Sequence, residues 1–288
     1  MRLHTDPAAF QAACRAARDR PGGGQRSLGL VPTMGALHAG HMSLVAASRH
    51  RDDATVATIF VNPLQFGPRE DLARYPRRLD HDLAQLEAAG VEMVFAPEPE
   101  AMYPAGFATA VEVAGLSERL CGASRPGHFR GVTTVVMKLF ALAAPSRAYF
   151  GQKDAAQVAV LRRMTCDLNL DVELVVLPIV READGLAMSS RNAYLSTQER
   201  LAALGLSHGL AAIRAAYDRG ERDAPRLLAA GQAAVAATPG LRLDYLVAVD
   251  ADTLLPVAQA GAGTLFAIAA FVGATRLIDN LLIGAKPA

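Results

Sequence analysis

The sequence lacks any apolar run long enough to span a membrane; its most apolar stretch, Thr264 to Gly273, is strand-sized. No signal pattern opens it, because Met1 to Gln11 carries Arg2, His4 and Asp6 and no apolar segment. Net charge is almost absent. The 29 lysines and arginines nearly balance 28 acidic residues, giving +1, and the cations are scattered. That balance excludes nucleic acid or an anionic membrane as a bulk partner, so any anion site must be local. Cysteine is scarce: Cys14, Cys121 and Cys166 are far apart, odd in number and without metal-like spacing. No disulfide framework follows, which suits a reducing cytoplasm. There are no internal repeats. The common phosphate loops are also missing. No glycine-rich loop ends in Lys-Ser/Thr, and no Gly-x-Gly-x-x-Gly follows a strand.

What is present is ample apolar material. In 288 residues, 51% are hydrophobic and 20% charged, enough for two globular domains with separate cores. The first part alternates strand-like and helix-like runs. Strands are expected at Ser27–Val31, Thr55–Val61, Val91–Ala96, Arg147–Phe150 and Val172–Leu177. Helices are expected at Asp6–Asp19, Gly40–His50, Leu79–Ala89, Gly131–Leu142 and Ala155–Leu168. Apolar strands alternating with amphipathic helices predict an α/β domain with a parallel sheet covered on both faces. Pro21 to Gly24 is expected to be a surface turn on the wrong side of the first strand to hold phosphate. Near Pro178 the pattern changes. Alanine-rich helices at Thr197–Arg219 and Ala224–Ala237 precede strands at Asp244–Val249, Thr264–Ala270 and Thr275–Leu281. The expected domains are 1–178 and a smaller α+β domain, 179–288.

Ligands of parallel sheets bind beyond the carboxyl ends of the strands, which directs attention to a few loops. The first is Pro32-Thr-Met-Gly-Ala-Leu-His-Ala-Gly-His41, running from a strand into a helix. Its histidines, His38 and His41, are spaced i, i+3 and share one face of a first turn. A helix N-terminus favours an anion, so this pair points to phosphate chemistry. The second loop, Phe60 to Gly67, offers the neutral amides Asn62 and Gln65, suited to a hydroxy acid or simply to closing the loop on itself. The third, Phe150-Gly-Gln-Lys-Asp154, pairs a permissive Gly151 with Lys153, a point charge for phosphate. Asp154 either accepts from ribose or caps the helix after it, and Gln157 lies one turn on. Val180 to Asn192 brings Ser189, Ser190 and Arg191 together, either as an oxyanion site in the second domain or as a solvated turn. Arg125 to Gly131, with His128, either attracts a carboxylate or only leads into a helix. Asp80 and Asp82 are metal candidates or ordinary helix N-terminal acids.

His38-Ala-Gly-His41 resembles the signature of the nucleotidyltransferase superfamily. With Val31 to Gly35, Phe60 to Gly67, Arg125 to Gly131, Phe150 to Asp154, Met188 to Asn192 and Arg276-Leu-Ile-Asp-Asn280 in order, nearly the whole chain resembles the pantoate–β-alanine ligases. The resemblance implies a Rossmann-like N-terminal domain, a smaller C-terminal domain and a homodimer. It implies ATP as substrate with Mg²⁺, activation of pantoate as an adenylate, and attack by β-alanine. Carried over, Met34, Gly35, Ala36, Leu37, His38, Ala39, Gly40 and His41 border ATP. Gly151, Gln152, Lys153 and Asp154 bind nucleotide beside Val180, and Met188, Ser189, Ser190 and Arg191 hold phosphates as a mobile loop. Closing the domains would bring that loop over the triphosphate. Catalysis falls to His41, His38 and Lys153. Gln65 and Gln157 hold pantoate, with Asn62 and His128 as further substrate contacts. The family often has two glutamines after Gly-x-Lys-Asp; here Ala156 replaces the first and Gln157 keeps the second.

Overall fold

The computed structural model describes residues 1–19, 24–68 and 70–284. Of the turn expected at Pro21 to Gly24, residues 21–23 lie outside the described residues. The chain divides into two compact units. The first comprises residues 1–118, 122–151 and 160–177, and the second comprises residues 119–121, 152–159 and 178–288.

The first unit is built on a six-stranded parallel sheet of β1 (Arg2–His4), β2 (Leu28–Thr33), β3 (Ala54–Ile59), β4 (Met93–Phe95), β5 (Arg147–Gly151) and β6 (Glu173–Leu177). The connecting helices are α1 (Pro7–Arg18), α2 (Ala39–Arg51), α3 (Leu79–Ala88), the single turns α4 (Pro99–Met102) and α5 (Cys121–Ser124), α6 (His128–Ala143) and α7 (Ala155–Asp167). Strands covered on both faces read as continuous apolar runs, and four consecutive residues of β2, Leu28 to Val31, are buried. Val31, Val45, Ala57, Leu86, Val94 and Tyr149 form part of one core layer. The helix starts have local causes. Asp6 caps α1 by accepting the Ala9 N–H at 2.7 Å, with Pro7 in the first turn.

Sheet order is β1-β4-β3-β2-β5-β6. The chain therefore moves outward from β2 through β3 to β4, then returns to lay β5 and β6 on the other side of β2. The order reverses between β2 and β5, and a ligand crevice in such a sheet lies at the carboxyl ends of those two strands. Met34 and Gln152 are the residues that follow them.

The second unit holds α8 (Thr197–Asp218), α9 (Ala224–Ala236) and an antiparallel sheet of β7 (Leu241–Asp250), β8 (Thr264–Val272) and β9 (Thr275–Leu282), in that order. Its separate core includes Leu206, Ile213, Leu227, Phe266 and Ile268. Ser196 and Glu199 cap α8 reciprocally, and Asp223 caps α9. Among the described residues, no helix is long and apolar enough to cross a membrane.

Most of these elements were expected from hydrophobic periodicity. Two differences stand out. Strand β1 has only three residues, too few to show a period. Helix α6 starts at His128, not at Gly131. Gly127, at φ 81°, turns the chain into the helix, so His128, Phe129 and Arg130 are helical instead of forming a loop. Gly131 is a packing glycine: a Cβ there would stand 2.2 Å from the Leu64 carbonyl oxygen.

Candidate active site

The loop after β2 is held from below by one buried carboxylate. Asp82, fully buried on α3, accepts the Ala36 N–H at 2.7 Å and the Leu37 N–H at 2.9 Å. Those bonds fix Gly35 and Ala36 in the left-handed region, at φ 79° and 50°. Thr33 Oγ1 accepts the Gly35 N–H at 3.1 Å and donates to the Thr58 carbonyl at 2.6 Å, so the loop is also tied to β3. Asp82 is a first-turn acid of α3, as one of the two expectations had it, and its buried carboxylate is engaged with these amides. Asp80 is exposed.

At the start of α2, His38 and His41 cap each other. His38 Nδ1 accepts the Gly40 N–H at 3.1 Å, and His41 Nδ1 accepts the His38 N–H at 3.4 Å. An acceptor nitrogen carries no proton, so both neutral rings hold theirs at Nε2. The rings stack with centroids 4.0 Å apart. The expectation of open N–H groups at this helix start needs correcting. The Gly40 N–H goes to a ring, and those of His41 and Met42 go to the His38 carbonyl.

The second loop forms a tight turn, Pro63–Gln65, capped by Asn62. Asn62 is buried and its amide is engaged on both ends. It donates to Gln65 Oε1 and to the Gly131 carbonyl, each at 3.1 Å, and accepts from the Leu64 N–H at 3.2 Å and the Tyr103 hydroxyl at 2.7 Å. Gln65 Nε2 in turn lies 3.0 Å from Met34 Sδ. Arg125 donates to both oxygens of Glu70, at 2.8 and 2.5 Å, and to the Gln65 carbonyl at 3.2 Å. His128 sits 3.0 Å from Arg125 Nη1 through Nε2 and 2.9 Å from the Gln65 carbonyl through Nδ1. An arginine only donates, so the His128 proton is on Nδ1 and points to that carbonyl. Burial pushes the Glu70 carboxyl up, but the Arg125 hydrogen bond and charge outweigh it and hold it below the ordinary value. Asn62 and His128 thereby shape the backbone and amide of Gln65.

In the second unit, Gln152–Asp154 form a single helical turn leading into α7. A Cβ at neighbouring Gly151 would meet no protein atom within 4 Å, which leaves open space at that point of the backbone. Lys153 Nζ is 3.6 Å from Asp154 Oδ1. Gln157 is half-buried one turn further on. Val180 and Met188 are drawn together because the chain doubles back at Gly185. The Met188 N–H donates to the Val180 carbonyl at 3.0 Å, and the Glu182 N–H to that of Leu186 at 2.8 Å. Ser189 caps the turn Ser190–Tyr194, accepting from the Arg191 N–H at 3.3 Å. Asn192 donates to Glu182 and to the Ala187 carbonyl, and Arg200 bridges Glu182 and Asp184. This loop is braced along much of its length. Sequence reasoning did not single out Asn192, Arg200, Glu70 or Tyr103, because their partners are set by the turns of the chain and not by spacing.

No group of three or more His, Cys, Asp or Glu side chains among the described residues is placed to hold a metal ion.

A parallel sheet with its reversal point beside a paired-histidine turn, and a separate α+β unit carrying lysine and Ser-Ser-Arg loops, define an α/β enzyme built to handle anions. Comparison with known proteins gives the particular kind. The family described as Pantoate-beta-alanine ligase matches residues 2–282. The chain belongs to the pantoate–β-alanine ligase family. It is 62% identical over 265 residues to the pantothenate synthetase of Acidobacterium capsulatum, covering 92% of this chain and 89% of that one. The crystal structure of pantothenate synthetase from Thermus thermophilus superposes with a TM-score of 0.92 at 48% identity, covering 98% of this chain and 99% of that one. That of pantoate–β-alanine ligase from Francisella tularensis, complexed with β,γ-ATP and β-alanine, superposes with a TM-score of 0.77 at 29% identity, covering 100% of both.

Proposed function

We infer that this protein is an ATP-dependent ligase that condenses pantoate with β-alanine to give pantothenate, AMP and pyrophosphate. The observation that carries the reading is the family match over residues 2–282, in a chain whose histidine turn follows the strand at the reversal point of the sheet. A pantoate carboxylate oxygen attacks the α-phosphorus of ATP, and pyrophosphate leaves. The β-alanine amine then attacks the acyl carbon of pantoyl adenylate, a proton leaves the nitrogen, and AMP departs with the bonding electrons. Pantoate is already ionised at neutral pH, so the first step needs charge stabilisation more than a base.

Each assigned residue has a part in this. His38 and His41 donate Nε2–H to the phosphates, and Lys153 neutralises them as a point charge. Met34 to Gly40 form the remainder of that turn. Gly151, Gln152, Asp154 and Val180 receive the nucleoside, and Met188, Ser189, Ser190 and Arg191 the phosphates. Gln65 and Gln157 orient pantoate, while Asn62 and His128 hold Gln65. Mg²⁺ enters bound to ATP, as part of the substrate. We assign nucleotide and pantoate binding to residues 1–178 and the Ser-Ser-Arg loop to residues 179–288; a unit boundary falls between Leu177 and Pro178, while residues 119–121 and 152–159 group with the second unit. A cytoplasmic homodimer completes the proposal.

The test is product analysis with ATP, Mg²⁺, pantoate and β-alanine, omitting each in turn. Equal amounts of AMP, pyrophosphate and pantothenate in the full mixture alone are expected. Pyrophosphate without pantothenate would refute β-alanine as the acceptor, and no turnover from folded protein would refute the ligase.

A further inference from the structure

The segment Arg276-Leu-Ile-Asp-Asn280 has no part in the reaction described above, yet two of its polar side chains are almost wholly buried. Asp279 is 3% exposed and Asn280 4%. They are consecutive residues of β9, paired with Ile268 and Ala267 of β8, so their side chains leave opposite faces of the strand. Each reaches a different loop of the second unit.

Asn280 holds the turn that carries Lys153. Its Nδ2 donates to the Gln152 carbonyl at 2.8 Å and to the Lys153 carbonyl at 3.0 Å, and its Oδ1 accepts from Gln152 Nε2 at 3.1 Å. Both amide N–H groups of one side chain therefore fix two successive peptide carbonyls. Asp279 holds the other loop. It accepts a two-point bond from Arg181 at 2.6 and 2.9 Å, while the Asn280 N–H donates to Oδ1 at 2.8 Å. Arg181 also donates to the Gly185 carbonyl at 3.0 Å, closing the turn from Val180 to Met188. Planar two-point pairing fixes direction as well as distance.

We propose that Asp279 and Asn280 are a positioning pair, which sets Lys153 and the Val180–Arg191 loop in one fixed register for the nucleotide. The inference rests on the reading that those two segments bind ATP. A two-residue step of one strand thus ties both loops to the same sheet, in addition to the bonds each loop makes within itself. Binding groups held this way keep the sub-ångström placement that transfer of an adenylyl group needs. A purely structural role predicts something different: loss of stability with no preference between substrates.

The experiment compares Asn280→Ala and Asp279→Asn with wild type and with Leu277→Ala. Leu277 is a buried apolar residue of the same strand, and its truncation disturbs the core alone. Mg·ATP affinity is read by calorimetry without acid or amine. KM for ATP, KM for pantoate and kcat are read separately, and Tm is recorded for all. Both polar variants are expected to weaken Mg·ATP binding and lower kcat, each by about 10- to 100-fold, with KM for pantoate within about twofold of wild type. Leu277→Ala is expected to lower Tm while leaving ATP affinity unchanged. Wild-type ATP affinity and kcat in either folded polar variant would overturn the pair's role. So would a parallel decline in ATP and pantoate parameters tracking Tm as in Leu277→Ala. The ligase reading fails by a separate result: wild type that binds ATP and releases no pyrophosphate with pantoate. The affinity comparison would then still decide on positioning.

Discussion

His41 keeps its proton on Nε2 because a backbone N–H occupies Nδ1. In the proposed reaction that tautomer would let the ring donate to phosphate with no change at the moment charge builds. Removing one such preorganised donor lowers turnover by about 10²–10³-fold. His41→Ala is expected to show that loss in a pyrophosphate-release assay and to remain folded; near-normal turnover would remove His41 from the mechanism. Asp82 acts at the same scale through the backbone. Asp82→Asn keeps the shape but turns one oxygen into a donor facing an N–H. A buried amide left without an acceptor costs about 1–3 kcal/mol. Urea unfolding should register that loss, and KM for ATP should rise. An unchanged KM would mean that the 35–37 turn holds its strained backbone without the carboxylate.

At the scale of elements, Glu70 and Arg125 join the Pro63–Gln65 turn to the start of α6. The Glu70 carboxyl titrates below its ordinary value of 4.5. Its contribution is therefore complete above that value and disappears as pH falls through the depressed folded pKa. Glu70→Gln should lower Tm at pH 7, and the gap to wild type should close as the pH drops below about 4.5. A gap that stays constant across that range would show that the pair contributes no charge-dependent stability. The same elements mark how far the sequence could be read. Helix α7 and the strands flanking α2 were legible because their apolar periods run for several residues. The start of α6 was not, since Arg125 to Gly131 read as a loop leading into a helix that began at Gly131. Its real cause, a carbonyl 2.2 Å from where a Cβ would sit, belongs to a turn far earlier in the chain. The histidine turn was legible as a motif, whereas its support by Asp82 depends on α3 folding back beneath it. Asp279 and Asn280 were visible only as part of a resemblance; nothing local says which loops they reach.

For the whole molecule, the proposed function takes Mg²⁺ in with ATP as part of the substrate, and the described residues hold no group of three or more His, Cys, Asp or Glu side chains placed for a metal ion. If the ion comes only with ATP, chelation should stop turnover reversibly and leave the Tm of the nucleotide-free protein unchanged within about 1 °C. A clear fall in Tm would reveal a resident ion instead. The strand order also sets a timetable for synthesis. Arg2 to His4 leave the ribosome before the other strands of their sheet, yet their partner is Met93 to Phe95. The seam between β2 and β5 joins Gly29 and Leu30 to Arg147 and Ala148, so it waits longer still. A nascent chain that has not yet emitted β5 can already hold the histidine turn, but it has no reversal point for a ligand to occupy. The reversal point of the sheet is thus among the last parts of the first unit to form during translation.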